Sequence, residues 1–239
     1  MGGSVTRRDF LLGVFALPFV AFASSVADEA GAVTAAVRLK SLEAASGGRL
    51  GVAVLHGAST VVTYRGNERF PLCSTLDLSD NTAGNLLMKL VGGPEAVTSF
   101  ARTAGDPHFR LDRWEPDLNT AIPGDPRDTT TPIAMAGSVK RLALGPILAN
   151  PQRNELCEWM IRNRIGHDRM RAGAPAGRRI ADKTGSGEYG TTNDTGVIWP
   201  SSGRPYVLAL YYTQSKRDAS PRSDVLREAT RIVFDGLST

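Results

Sequence analysis

The chain has 239 residues, is 41% hydrophobic and 22% charged, and carries a net charge of +4. That is ordinary globular composition, able to bury a core in one large domain or two small ones. Its basic and acidic residues are mixed rather than blocked, which excludes a nucleic-acid surface, and its two cysteines and three scattered histidines (His56, His108, His167) lack metal-ligand spacing.

The N-terminus reads as a targeting segment. Thr6-Arg7-Arg8-Asp9-Phe10-Leu11-Leu12 precedes an apolar run from Gly13 to Phe22, and Ala21-Phe22-Ala23 forms an A-x-A site. A charged start, a short apolar stretch and such a site make a cleaved signal over residues 1–23. The paired arginines resemble the twin-arginine export signal, with an ordinary secretory signal as the alternative. The run is shorter than the ~20 residues a membrane-spanning helix needs. A periplasmic chain could form disulfides, yet Cys73 and Cys157 read as free buried thiols.

Residues 26–46 show helical spacing, closed by Gly47-Gly48. Leu50–Leu55 and Thr60–Tyr64 read as strands of a hairpin. Helices follow over Thr82–Leu90 and Glu95–Ala104, the second opened by Pro94. Arg110–Pro132 has no clear periodicity and is long for a connection, as functional loops are. Two more amphipathic helices cover 133–143 and 152–163. Arg179–Lys183, Thr192–Trp199 and Tyr206–Thr213 read as strands, with turn-rich joints at Gly185–Gly190 and Pro200–Pro205. An amphipathic helix over Ser223–Leu237 closes the chain. The expected fold is α/β of the α+β type, a single domain over 24–239. One antiparallel sheet joins both chain ends (24–66 and 178–239), with terminal helices on one face and a helical part (74–170) on the other.

Chemistry concentrates in Cys73-Ser74-Thr75-Leu76-Asp77-Leu78-Ser79-Asp80-Asn81. Ser74 follows a small, mostly apolar run, as a nucleophile at a helix start would. Ser79-Asp80-Asn81 sets a hydroxyl, a carboxylate and an amide in a row. Lys183-Thr184-Gly185-Ser186-Gly187 ends a strand, where a cation and closely approachable backbone could border a cleft; a plain strand end with an exposed lysine is the alternative. On the long loop, Glu115 and Asn119 stand four apart and could together hold a water for general-base attack; a solvated acidic loop is the alternative.

In this order, a serine, Ser-Asp-Asn, a Glu/Asn loop and Lys-Thr-Gly resemble the class A serine β-lactamases. The flanks Arg69-Phe70-Pro71-Leu72-Cys73-Ser74-Thr75, Ser79-Asp80-Asn81-Thr82-Ala83 and Leu111-Asp112-Arg113-Trp114-Glu115-Pro116 carry the resemblance across nearly the whole mature chain. The resemblance implies a β-lactamase/transpeptidase-like fold and an exported monomer that hydrolyses β-lactam antibiotics with neither metal nor cofactor. Position by position, it makes Ser74 the acylated nucleophile, with the N–H groups of Ser74 and Ser186 as oxyanion hole. It makes Ser79 the proton relay to the leaving nitrogen, and Glu115 with Asn119 the holder and base of the deacylating water. Lys183, Thr184, Gly185 and Ser186 line the substrate carboxylate side, and Asn81 the side-chain amide. Arg113 and Asp128 match an ion pair that pins the loop. Arg169 matches an arginine that holds the substrate carboxylate in some members, where Thr192 and Ser223 stand at positions that are arginine in others.

One departure is large. The family motif is Ser-x-x-Lys, and the fourth position here is Asp77; Ser79 follows Ser74 by five positions where the family has on the order of 50. A serine hydroxyl needs an adjacent base, and position i+3 on a helix is where the lysine would supply it. Five extended residues reach up to roughly 17 Å, so reach does not forbid a site. Losing ten large apolar side chains would remove roughly 15–30 kcal/mol of gross burial against a net stability of about 5–15 kcal/mol. Two further readings therefore stand beside hydrolysis: a non-catalytic remnant that at most binds or is acylated by β-lactams, and a cell-wall peptidase relative, against which Glu115 argues.

Overall fold

The computed structural model describes residues 19–73 and 80–237, with side chains from residue 29 onward. Most of the expected export signal (1–18), and Ser74, Asp77 and Ser79, lie outside the described residues. The first helix, α1, runs over Phe19–Ser46, so it begins inside the stretch read as a signal. Among the described residues no helix is long and apolar enough to cross a membrane.

Five strands form one antiparallel sheet: β1 (Arg49–His56), β2 (Ser59–Tyr64), β5 (Arg179–Gly187), β6 (Thr191–Trp199) and β7 (Tyr206–Thr213), in the order β2-β1-β7-β6-β5. The two chain ends thus build one sheet, as their β-branched and aromatic content predicts. A second, two-stranded ribbon pairs β3 (Phe70–Pro71) with β4 (Thr129–Thr130), a link between the segment before Ser74 and the long loop that no sequence pattern announced.

Alternation along the strands sorts the core into two layers. Leu50, Val52 and Val54 of β1 and Leu208, Leu210 and Tyr212 of β7 meet Leu39 of α1 and Leu226 and Val233 of the last helix, α7 (Ser223–Gly236). On the other face Ala53, Val207, Ala209 and Tyr211 meet Met135, Ala136 and Val139 of α4 (Pro132–Ala143). Small residues on that face let α4 and its neighbours sit close. A Cβ on Gly51 would lie 2.5 Å from the Phe70 ring and 2.9 Å from Pro132 Cγ. Thr131 opens α4 by accepting the Ala134 N–H at 3.3 Å, with Pro132 pre-set at its first position.

The other helices are α2 (Asn81–Val91), α3 (Pro94–Thr103), α5 (Asn150–Ile161) and α6 (Met170–Gly173). Asp80 caps α2, accepting the N–H groups of Thr82 and Ala83 at 2.9 and 3.1 Å, so one member of the Ser-Asp-Asn triplet has a local structural task. α2 is strongly amphipathic yet buries only Gly84, and Leu86, Leu87, Leu90 and Val91 are exposed. α5 likewise buries only Cys157 fully. Both cysteines are buried and free.

β5 runs further than expected. The glycines of the Lys-Thr-Gly-Ser-Gly segment continue the ladder to Gly187, opposite Thr191, and the turn is confined to Glu188–Gly190, with Tyr189 and Gly190 both at φ 57. Two carboxylates are sealed behind this hairpin. Asp182 is paired with Arg171 and accepts from Asn163 Nδ2 at 3.2 Å; Asp194 accepts the Met170 N–H at 3.1 Å. Burial, reinforced by the charge of Asp182, pushes the Asp194 carboxyl well above the carboxylate range.

The folded chain therefore holds a proton at Asp194 that the unfolded chain releases near 3.8. Stability from this group is complete below that pH and falls as pH rises toward the raised folded pKa, by up to about 1.4 kcal/mol per unit. Asp194→Asn keeps an acceptor for Met170 and removes the titration. We expect its Tm to exceed the parent's at pH 8 and to vary less between pH 4 and 8. A thermal melt series with an unchanged slope would reject this account.

Candidate active site

Among the described residues β5 is an edge strand, paired only with β6, so one side of the Lys-Thr-Gly segment faces away from the sheet. Thr184 and Gly185 are buried, Ser186 is exposed, and Lys183 is half-buried with its ammonium donating to the Thr184 carbonyl at 2.6 Å. Behind the strand lies Arg169, only 6% exposed. Its guanidinium donates to the carbonyls of Gly185 and Asn193, each at 2.9 Å, to Ser186 Oγ at 2.8 Å and to Ser223 Oγ at 3.3 Å. This clamp bridges β5 and β6 at the strand end. Burial lowers the Arg169 pKa.

Asn193, opposite Gly185 on β6, holds the segment that leads to Ser74. Its amide donates to the carbonyls of Pro71 and Leu72 at 2.8 and 3.0 Å. The Leu72 N–H in turn donates to the Asp128 carbonyl at 2.8 Å. Cys73 follows at φ 47, fully buried, and burial first, then the Glu115 charge, pushes its thiol pKa up. It is an inert wall residue rather than a nucleophile.

The long loop is fastened at three points. Arg113 Nε donates to Asp128 Oδ2 at 2.5 Å, while Asp128 Oδ1 accepts the N–H groups of Asp112 and Arg113 at 2.7 and 3.0 Å. Asn85 of α2 grips the main chain of Glu115 at both ends, accepting its N–H at 2.9 Å and donating to its carbonyl at 2.8 Å. The Asn119 carbonyl accepts the Glu188 N–H at 2.9 Å, which docks the loop on the end of β5. Gly187 permits that approach, since a Cβ there would lie 2.5 Å from the Asn119 carbonyl oxygen and 2.6 Å from Cys73 Sγ. The Glu115–Pro116 peptide is cis. The Glu115 side chain is buried and accepts a hydrogen bond from the Asn119 amide.

A cleft of about 750 Å3 opens between α2–α5 and β5, lined by Cys73, Glu115, Asp182, Lys183 and Thr195 together with apolar helix residues. The groups from three distant stretches therefore share one cavity.

Residues 75–237 match the Beta-lactamase enzyme family. The β-lactamase OXY-1 of Klebsiella oxytoca is 40% identical, aligned over 97% of this chain and 98% of that protein. The β-lactamase Toho-1 of Escherichia coli is 41% identical over 96% and 98%. A β-lactamase crystal structure from Desulfarculus baarsii superposes with a TM-score of 0.84 at 41% identity, covering 87% of this chain and 98% of that one. A mutant class A β-lactamase of the last common ancestor of Gram-negative bacteria, bound to a transition-state analogue, gives a TM-score of 0.82 at 42% identity, covering 86% and 100%. The chain belongs to the class A β-lactamase family. The alignment to OXY-1 has 287 positions against the 239 residues here, so at least 48 of them hold no residue of this chain.

Within this class A β-lactamase scaffold, the described site residues fall into two groups. Glu115, Asn119, Lys183, Thr184, Gly185, Ser186 and Arg169 stand around the end of β5, and Cys73 lines the same cleft as Glu115 and Lys183. Asn81 stands apart. It lines a separate groove of about 480 Å3 with Asn85, Trp114 and Glu115, from which Lys183 and Cys73 are absent. Thr192 and Ser223 sit beside the clamp: Ser223 receives Arg169, and Thr192 Oγ1 accepts the Arg222 N–H at 3.0 Å. Asn85 and Asn193, which position Glu115 and the approach to Ser74, carried no signal in the sequence. Each is one amide on a regular element, and only its partner's main chain gives it a role.

Asp128 is 1% exposed and satisfies three donors of the loop. Asp128→Ala removes the ion-pair partner of the half-buried Arg113 cation, leaving Thr120 Oγ1 as its hydrogen-bond acceptor among the described residues, and should cost about 3–5 kcal/mol in urea unfolding. A loss below about 1 kcal/mol would show that the loop is held elsewhere.

Proposed function

We propose that this chain hydrolyses β-lactams through an acyl intermediate on Ser74. The reading rests on one observation: Glu115, Lys183 and Cys73, the residue bonded to Ser74, line the same cleft. Ser74 Oγ attacks the lactam carbonyl, the C–N bond breaks, and the proton lost by the Ser74 hydroxyl passes through Ser79 to the leaving nitrogen. The oxyanion forms against the N–H groups of Ser74 and Ser186. A water held by the Glu115 carboxylate and the Asn119 amide then attacks the ester, releases the ring-opened acid and restores the serine. Lys183, Thr184, Gly185 and Ser186 bind the substrate carboxylate. Arg169 contributes through Ser186 and the Gly185 carbonyl, since its guanidinium is occupied by them. Asp77 replaces the lysine that would activate Ser74, so acylation is the slow step. The reading includes export to the periplasm by residues 1–23, action as a monomer, and no metal or cofactor.

A second reading has its own support. The missing positions, assigned to the interval between Ser74 and Ser79, leave Asp77 in the base position and Asn81 on a different groove from Lys183. A chain of that kind is a remnant that at most becomes acylated.

Nitrocefin turnover and mass spectrometry after penicillin exposure separate the two. Hydrolysis predicts turnover at least ~10-fold above a Ser74→Ala variant. It also predicts that Glu115→Gln accumulates an acyl adduct on Ser74, because removing the base blocks only the second step. Turnover equal to that of Ser74→Ala rejects hydrolysis, and a stable adduct on the unmodified sequence establishes the remnant.

A further inference from the structure

Each of α2, α3, α4 and α5 turns one stripe toward the cleft, at positions i, i+3 and i+4, such as Val97, Phe100 and Ala101 of α3. Stripes of this kind mark the buried faces of packed helices, yet here they border about 750 Å3 of open volume. Met135 and Val139 are buried at its floor, while Leu87, Phe100 and Trp159 are 50–54% exposed at its mouth. A volume of this size with an apolar lining matches a small-molecule site and exceeds a packing defect.

The lining also sets the chemistry that fits. Its charged side chains, Glu115, Arg164, Asp182 and Lys183, belong to the long loop, to β5 and to the segment after α5, and the four helices contribute none. The polar side chain the helices do contribute, Ser138, donates its hydroxyl to Asp106 Oδ2 at 2.8 Å. An ion in the helical part would lose its hydration with nothing there to replace it, so the ligand that fits is neutral. Met88, Met135 and Met160, three of the five methionines of the chain, line this part. Thioether sulfur packs favourably against aromatic rings, and the unbranched methionine side chain adapts to their outline. Phe100 and Trp159 add two ring faces at the mouth.

We propose that the helical part of the cleft binds a neutral aromatic compound of two or three rings, held between the methionines of α2, α4 and α5 and the rings of Phe100 and Trp159. This occupancy goes beyond β-lactam hydrolysis. It uses no group of the substrate carboxylate side and neither Ser74 nor Ser79. It is read by binding rather than turnover, so failure of one leaves the test of the other intact.

N-phenyl-1-naphthylamine, titrated into the purified full chain and followed by its fluorescence, is the probe. We expect saturable binding of one molecule per chain, with energy transfer from tryptophan. Of the variants Trp114→Phe, Trp159→Phe and Trp199→Phe, the second should lose the most transfer, since Trp159 is the tryptophan that lines the cleft. 8-Anilino-1-naphthalenesulfonate has the same rings plus a sulfonate, and should bind at least ~10-fold more weakly because its charge would have to be buried. That comparison needs no variant. Leu87→Lys should weaken the neutral probe at least ~10-fold, whereas Leu86→Lys, at a similarly exposed neighbour that lines the other groove, should change it less than ~2-fold. The proposal is overturned by any of four results: no saturable binding, several molecules per chain, a sulfonate that binds as tightly as the neutral probe, or equal effects of the two lysine variants.

Discussion

Eight residue pairs join β1 to β7, from Arg49 opposite Thr213 to His56 opposite Tyr206. These strands come from opposite ends of the chain, and their register sets everything built on them. Strand side chains alternate, so a slip of one residue would turn Leu50, Val52 and Val54 away from α1 and α7 and toward α4. The face with Ala53 and Ala209 would then have lost the small residues that let α4 lie close. α4 in turn supplies Met135 and Val139 to the cleft floor, so the position of the site follows from this one pairing.

The site itself is held by main-chain carbonyls and N–H groups more than by side-chain pairs. Asn193 holds Pro71 and Leu72, Asn85 holds Glu115, Arg169 holds Gly185 and Asn193, and the Asn119 carbonyl holds Glu188. Each contact joins segments far apart in sequence at a fixed depth, and buried polar groups of this kind are expensive to leave unpaired. The scaffold around the candidate site is thus specified even though at least 48 positions of the OXY-1 alignment have no counterpart here. Leu86, Leu90 and Val91 of α2 and Trp159 of α5 are exposed apolar side chains on this scaffold.

Much of the fold was legible because its signals are local. The bounds of β7 and α4 follow from strand and helix periodicity, from the Pro132 start and from the turn chemistry around them. The continuation of β5 through Gly185 and Gly187 was not, since glycine reads as turn by composition and as strand only when a partner strand supplies the ladder. The β3–β4 ribbon was hidden for a similar reason, each strand being two residues long and meaningful only in its pairing.

The amino-acid sequence alone determined the family and the chemical groups. Ser-Asp-Asn, the Glu/Asn loop and Lys-Thr-Gly are side-chain identities in a fixed order, and order survives without coordinates. Only the tertiary structure decided that Arg169 is a buried clamp, that Asn81 opens onto a groove apart from Lys183, and that a large apolar cleft is lined by Glu115, Lys183 and Cys73. These are matters of where distant segments touch, and contact across the sheet depends on register and packing that no single stretch of residues encodes.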